Sequence, residues 1–219
     1  PPPPPPPPPP YLHAQAAIRD LDSSLVGSEM CIRDRVTVNW SHCGRHNVEN
    51  ALAAMAAAHH VGVLPEASAE ALSLFRGVKR RLELLGNVAG VSVYDDFAHH
   101  PTAIATTLQG LRARGGEGRL IALIEPRSNT MRMGEHRARL AQSTAGADKV
   151  YWFQPPGMEW SLQDVIDESE VAAELASDID ALVAAVAADA RAGDQLVIMS
   201  NGGFGGIHDR MLAALEAAT

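Results

Sequence analysis

Val91-Ser92-Val93-Tyr94-Asp95-Asp96-Phe97-Ala98-His99-His100-Pro101-Thr102 is the stretch that decides the fold. Val91–Tyr94 reads as a short strand, and Pro101 opens a helix that the pattern carries to Arg114. Proline suits a first helical position because the N–H it lacks has no intrahelical partner there. Strand, loop and helix recur outward from this unit. Leu82–Val88 is strand-like before the turn from Asn87 to Gly90, and Leu120–Ile124 is short and fully apolar. Glu135–Ala145 reads as a helix, Val150–Phe153 as a strand and Pro155-Pro156-Gly157 as a loop. Asp178–Ala190 is a helix, Gln195–Met199 a buried strand and Ile207–Ala217 a closing helix. Short apolar strands alternating with helices imply an α/β fold with a mostly parallel sheet covered on both faces.

The sequence ahead of this region has a different texture. Val36–Trp40 reads as a strand, and Ser41 to His46 as a turn around Gly44. Asn47–His60 reads as a helix with Val48, Leu52, Met55 and Ala56 on one face. Gly62 and Pro65 are read as its stop, and Ala67–Phe75 as a second helix capped by Ser68. Two helices without a sheet look like the tail of a domain whose beginning is absent. Further forward, Pro1 to Pro10 is a homopolymer that buries nothing. Ser24-Leu25-Val26-Gly27-Ser28-Glu29-Met30-Cys31-Ile32-Arg33-Asp34-Arg35 resembles a translated sequencing-adapter string. Residues 1–35 are therefore expected to be non-native or disordered and carry no weight in the fold. The organisation expected is 1–35 as that segment, 36–74 as a domain remnant and 75–219 as the α/β domain.

Composition narrows the function classes. The formal net charge is -8, which argues against a nucleic-acid partner, since phosphate binding needs a clustered basic surface. Two cysteines, Cys31 and Cys43, imply no disulfide scaffold and fit a reducing cytoplasm. No run of about 18 apolar residues is present to span a membrane.

Ligands of open parallel sheets bind beyond the carboxyl ends of the strands, and three unusual segments fall there. In the first, Tyr94 to Thr102, two acids and two imidazoles lie between strand and helix start. The carboxylates can bind ribose hydroxyls or a metal, or they and Thr102 can simply cap the turn. In the second, Glu125-Pro126-Arg127-Ser128-Asn129-Thr130-Met131, the Arg127 fork suits a carboxylate or phosphate; the alternative is an ordinary surface arginine. In the third, Ser200-Asn201-Gly202-Gly203-Phe204-Gly205-Gly206, four glycines allow close backbone approach and an anion-binding nest, against the alternative of a flexible turn. Other features are weaker. Cys43-Gly44-Arg45-His46 has no second pair to complete a metal site, so no metal ligand is assigned. His59-His60 suits a helix C-terminus. Met133, Met158 and Met199 read as packing.

These segments carry a resemblance. Gly44-Arg45-His46-Asn47-Val48-Glu49-Asn50-Ala51-Leu52-Ala53-Ala54 resembles the G-x-H-N-x-x-N-x-x-A-A signature of the Mur ligase family, at the end of its central ATPase domain. Phe75-Arg76-Gly77-Val78-Lys79-Arg80-Arg81-Leu82-Glu83 resembles the start of that family's C-terminal domain, a Rossmann-like sheet. Tyr94 to Thr102, Glu125 to Met133 and Ser200 to His208 are similar to one branch. That branch joins UDP-N-acetylmuramate to the murein tripeptide L-Ala-γ-D-Glu-meso-diaminopimelate. A sibling branch that adds L-alanine shares the Asp-Asp-x-x-His-His-Pro core and is the alternative. A Rossmann-like nucleotide- or peptide-binding module without catalysis is another.

The resemblance implies an ATP-dependent ligase of peptidoglycan recycling that works through an acyl phosphate with Mg²⁺. It implies that Asn47 and Asn50 hydrogen-bond the adenine and that His46 lines the same pocket. Arg81 would contact the nucleotide, and Asp96, with Asp95, would hold the ribose or orient the closed site. Asp96, His99 and His100 are the candidate catalytic residues. Arg127, Ser128, Asn129, Thr130, Ser200, Asn201, Gly202 and Gly203 would receive the tripeptide. The family's phosphate-binding loop, its magnesium ligands and its UDP-sugar domain have no counterpart in these 219 residues. The chain is accordingly expected to be a truncated piece that is inactive alone.

Overall fold

The structure, a computed structural model, describes residues 28–32, 34–42, 44–116, 118–127, 133–134, 136–158 and 160–218. Contacts divide the chain into two compact units, residues 42–47 with 76–219 and residues 1–41 with 48–75.

The larger unit is built on a six-stranded sheet in the order β3-β4-β8-β5-β6-β7. The strands are β3 (Glu83–Val88), β4 (Val91–Asp96), β5 (Leu120–Glu125), β6 (Lys149–Phe153), β7 (Ala172–Ala176) and β8 (Gln195–Ser200). Only the β3–β4 hairpin is antiparallel; the other four pairings are parallel. Side chains of successive strand residues point to opposite faces, and here both faces are buried. Leu120, Ala122 and Ile124 pack with helix α3 (Pro101–Arg114), helix α4 (Arg137–Ser143) and helix α5 (Gln163–Asp167) through Leu108, Leu140 and Val165. Ile121 and Leu123 pack on the other side with helix α6 (Ile179–Asp189) and helix α7 (Ile207–Ala217) through Leu182, Val186 and Met211. The α/β sheet with helices on both faces agrees with the sequence reading.

This topology fixes where a crevice must open. The connections after β4, β5 and β6 run over one face, whereas those on either side of β8 run over the other. The chain leaving β8 therefore departs to the opposite side from the chains leaving its neighbours β4 and β5. That divergence is the arrangement at which open α/β sheets take their ligands. The opposite edge of the sheet is clamped. Arg119 bonds Asp194 at 2.7 Å and Asp189 at 3.1 Å, and Lys149 reaches Asp189 at 3.1 Å. Burial pushes the Asp194 carboxyl up. The Arg119 guanidinium and the N–H groups of Arg191 and Arg119 outweigh it and hold the group below the usual aspartate range.

The smaller unit contains the hairpin of β1 (Ser28–Ile32) and β2 (Asp34–Val38), most of α1 (Arg45–His60), and α2 (Pro65–Leu74). Val36, Val38, Met55 and Ala69 form its small core, with Trp40 and Leu72 against it. Of the front segment read as non-native or disordered, residues 1–27 and 33 lie outside the described residues, and the rest lies in the hairpin. No helix among the described residues is long and apolar enough to cross a membrane.

Several element boundaries need correction. Pro65 does not close a unit but occupies the first turn of α2, and Ser68 is not its cap but is buried within it. The strand read at Val36–Trp40 spans Asp34–Val38. The helix read from Glu135 to Ala145 is described only over Arg137–Ser143, and Glu135 lies outside the described residues. Strand β7 and helix α5 were not read at all. Ala172-Ala173-Glu174-Leu175-Ala176 is poor strand sequence, and it pairs with β6 alone at the sheet's edge. Strand β4 does not stop at Tyr94: its ladder with β8 runs on through Asp95 and Asp96.

Candidate functional site

The extension of β4 separates the two carboxylates. Adjacent strand residues face opposite ways, so Asp96 points toward α3 and Asp95 toward α7, and the structure does not bring them into one ligand set. Asp96 is buried. It accepts from Leu82 N–H at 2.8 Å, Ala98 N–H at 2.7 Å and the Thr107 hydroxyl at 3.2 Å. Burial raises its pKa, opposed by those donors and by Arg81. The carboxylate thus already serves the chain itself, holding the turn before β3 and the turn after β4.

Asp95 belongs to a different network. Its Oδ2 accepts from Arg80 Nε at 3.2 Å. His208 Nε2, at the start of α7, stands 3.1 Å from its Oδ1. That is a close approach off the line of a hydrogen bond, since neither atom gains a hydrogen-bond partner among the described residues. Arg80 Nη2 also donates to the carbonyls of Ser200 at 2.6 Å and Gly202 at 2.8 Å. Arg80 and His208 are the residues that the sequence reading missed. Arg80 sits in the run Lys79-Arg80-Arg81, which looks like a solvated charge cluster, and its carbonyl partners lie 120 and 122 residues away. Arg81, the residue read as the nucleotide contact, is exposed, with its guanidinium 5.4 Å from the centre of the Phe97 ring.

The two imidazoles also differ. His99 Nδ1 lies 2.9 Å from the carbonyl of Phe97, an arrangement that makes this nitrogen the donor. His100 caps α3: its Nδ1 accepts from Thr102 N–H at 3.3 Å, and its ring meets that of His136 edge-on at 4.4 Å. Partial burial, then the positive charges of His136, His99 and Arg139, lower the His100 pKa from its ordinary 6.5. The sign follows from linkage. The unfolded chain takes up this proton near pH 6.5, while the folded chain resists it until lower pH. Stability therefore falls as pH drops from 6.5 to the folded value and levels off below it. His100→Asn keeps a capping side chain without the titration. We expect it to flatten that part of a stability profile measured by urea unfolding between about pH 5.5 and 7.5, one unit either side of the ordinary value. An unchanged slope would contradict this assignment.

At the ends of β5 and β8, Glu125 stands opposite Ser200 in the ladder. The Ser200 hydroxyl donates to Glu125 and accepts from Gly202 N–H at 2.9 Å, so it is consumed within the turn. Arg127 is exposed, and its guanidinium lies directly against Gly202: a side chain at that glycine would strike it. Asn201 Oδ1 is enclosed without a donor among the described residues. Gly203 is exposed, with open space where a side chain would begin. Ser128, Asn129 and Thr130 lie outside the described residues. His46 and Asn47 are in the first turn of α1, where Asn47 N–H donates to Gly44 carbonyl at 3.0 Å. These two residues fall in the larger unit, and Asn50, exposed on the same helix, in the smaller.

Comparison with known proteins bears on the family of the chain. The chain is 50% identical over 179 residues to the UDP-N-acetylmuramate–L-alanyl-γ-D-glutamyl-meso-2,6-diaminoheptandioate ligase of Escherichia coli, covering 81% of this chain and 39% of the relative. A solved murein peptide ligase from Psychrobacter arcticus is 47% identical with a TM-score of 0.68, over 87% of this chain and 42% of that one. A solved domain from Haemophilus ducreyi is 42% identical with a TM-score of 0.53, over 62% of this chain and 99% of that one. The chain thus spans about two fifths of the length of the E. coli and P. arcticus relatives. Residues 80–202, more than half of the chain, match the family model described as Mur ligase, glutamate ligase domain. They run from the arginine hub of the site to the glycine turn, and on that match the chain belongs to the Mur ligase family.

Proposed function

We propose that this chain supplies the acceptor-binding edge of an ATP-dependent ligase that joins the carboxylate of UDP-N-acetylmuramate to L-Ala-γ-D-Glu-meso-diaminopimelate, in peptidoglycan recycling in the cytoplasm. The observation that carries the reading is Arg127 laid over Gly202, where the diverging ends of β5 and β8 meet. A permanently charged planar fork in that position can hold a carboxylate bidentately. The tripeptide offers several carboxylates beside one reacting amine; free L-alanine offers one.

The chemistry assigns the remaining roles. A carboxylate is a poor electrophile, so its oxygen first attacks the terminal phosphorus of ATP and ADP leaves. The acceptor amine then attacks the acyl carbon, loses its proton, and phosphate departs with the bonding pair. Positioning and charge stabilisation are most of what a protein adds to such steps. His46, Asn47 and Asn50 are assigned to the adenine and Arg81 to the nucleotide. His99 and His100 remain the candidates nearest the reacting groups. Because Asp96 is bound up with the chain's own donors, we assign it to shaping the site. Among the described residues no three His, Cys, Asp or Glu side chains gather as a metal site, so no Mg²⁺ ligand is assigned to them.

Substrate choice tests the proposal. In a chimera that runs from the upstream part of the E. coli relative into this chain at Gly44, we expect ATP-dependent ligation of the tripeptide. A site built for charged groups discriminates strongly against an analogue that lacks them, so kcat/KM for L-alanine should be at least about 100-fold lower. L-alanine used as well as the tripeptide would refute it.

A further inference from the structure

Two adjacent imidazoles follow β4, and the backbone sets their protons in opposite ways. A neutral histidine carries one ring proton, and the bond made by one nitrogen decides which nitrogen holds it. His99 Nδ1 lies 2.9 Å from the carbonyl of Phe97, and a carbonyl can only accept. The proton is therefore on Nδ1, and Nε2 keeps its lone pair. His100 Nδ1 lies 3.3 Å from the backbone nitrogen of Thr102, whose N–H can only donate. In this ring the lone pair is on Nδ1 and the proton on Nε2.

Both settings are held in place. The His99 ring meets the Phe97 ring edge-on at 5.5 Å, and the guanidinium groups of Arg80 and Arg81 lie 5.3 and 5.4 Å from the centre of that same ring. His100 is the N-cap of α3, with its ring against that of His136. A second proton on His100 would have to sit on Nδ1, facing the Thr102 N–H, so the cap keeps this ring neutral. Partial burial and the positive charges of His136, His99 and Arg139 act in the same direction. Both rings are half-buried, and neither Nε2 has a hydrogen-bond partner among the described residues. The carboxyl end of β4 thus offers one ring nitrogen that can take a proton and, on the next residue, one that can only give a hydrogen bond.

The second half of the ligation has two needs of these kinds. The attacking amine must shed a proton, and the acyl oxygen gains negative charge. We propose that His99 Nε2 takes the proton of the amine and that His100 Nε2–H donates to the acyl oxygen as it becomes an oxyanion. The nitrogen lone pair forms the C–N bond and the amine proton passes to His99. The pair displaced onto the oxygen returns as the C–O bond to phosphate breaks, and His99 then releases its proton to solvent. This inference rests on the ligase reading of the site and divides between two residues the roles that reading leaves undivided.

The first test uses the 219-residue chain. Two-bond nitrogen–proton NMR correlations of its imidazoles, taken on the alkaline side of the imidazole range, should show the proton on Nδ1 of His99 and on Nε2 of His100. The same tautomer at both would overturn the division. The second test uses the chimera and two amides. A glutamine amide reaches as far as Nε2 of the histidine it replaces, and an asparagine amide as far as Nδ1. His100→Gln keeps the outward donor and loses the cap, so it should unfold at lower urea yet retain most of its kcat for the tripeptide. His100→Asn keeps the cap and loses the donor, so it should hold its stability while kcat falls about 100-fold. His99→Gln should lose about 100-fold, because an amide cannot take up a proton. Acyl phosphate trapped by hydroxylamine without tripeptide should form normally in all three, since it precedes both roles. If His99→Gln or His100→Asn ligates as fast as the parent chimera, the inference is wrong and the ligase reading stands. If the parent chimera does not ligate the tripeptide, the ligase reading falls and this inference with it.

Discussion

Replacing Arg127 with alanine in the chimeric enzyme is expected to lower kcat/KM for the tripeptide by about 30- to 1,000-fold, from a loss of about 2–4 kcal/mol of charged contact. The substitution removes no packing, because Arg127 is exposed and lies over a glycine. Its effect should therefore fall on the step that uses the acceptor. Acyl-phosphate formation, followed without tripeptide as ATP-derived acyl phosphate trapped by hydroxylamine, should be nearly untouched. The opposite outcome, loss of acyl-phosphate formation with an unchanged KM for the tripeptide, would assign Arg127 to the nucleotide.

The largest effect on stability is expected at the other edge of the sheet. Arg119→Met leaves Asp194, 3% exposed, without the guanidinium that bridges it to Asp189. Breaking a buried ion pair from one side costs about 3–5 kcal/mol, because the remaining charge stays desolvated. In a domain of this size that amounts to a drop of roughly 10 °C in Tm. The pH dependence should change with it. Asp189 and Asp194 are both held below their ordinary 3.8 in the folded chain. They therefore contribute stability that is fully present above that value and is lost as pH falls through their folded values. In Arg119→Met this acid-side loss should shrink, since much of the stabilisation is already gone. Tripeptide affinity of the folded fraction should hold, because Arg119 lies at the opposite end of the strands. Calorimetric unfolding at pH 3 to 7 (about the span of carboxylate titration) checks this, and a variant as stable as the parent would show that Asp194 does not need its partner.

The sequence made the fold legible where local chemistry and tertiary environment agree. Pro101–Arg114 was read to the residue, because proline marks its first turn and Gly115, with φ of 81°, ends it. Leu120–Ile124 was legible because a strand buried on both faces must be apolar throughout. Ala172–Ala176 was not, because alanine and glutamate favour helices and an edge strand needs only one partner. The site was legible as three segments but not as a set of contacts. Position at the strand ends follows from the order of elements, so the sequence suffices to place Asp95, Arg127 and Ser200 there. The separation of Asp95 from Asp96 was hidden because acidic residues rarely continue a strand, and two residues of β4 were read as loop. Arg80 was hidden because its partners are backbone carbonyls, which leave no mark on the sequence.

The most direct test of the account is to titrate the isotopically labelled 219-residue chain with L-Ala-γ-D-Glu-meso-diaminopimelate and map the backbone amide shifts. If the diverging ends of β4, β5 and β8 receive the acceptor, the perturbed amides should concentrate at Arg127 and Asn201–Gly203, with a weaker echo at Arg80. Perturbation centred on Arg119 and Asp194 instead, or sparing Arg127 and the glycine turn, would contradict it.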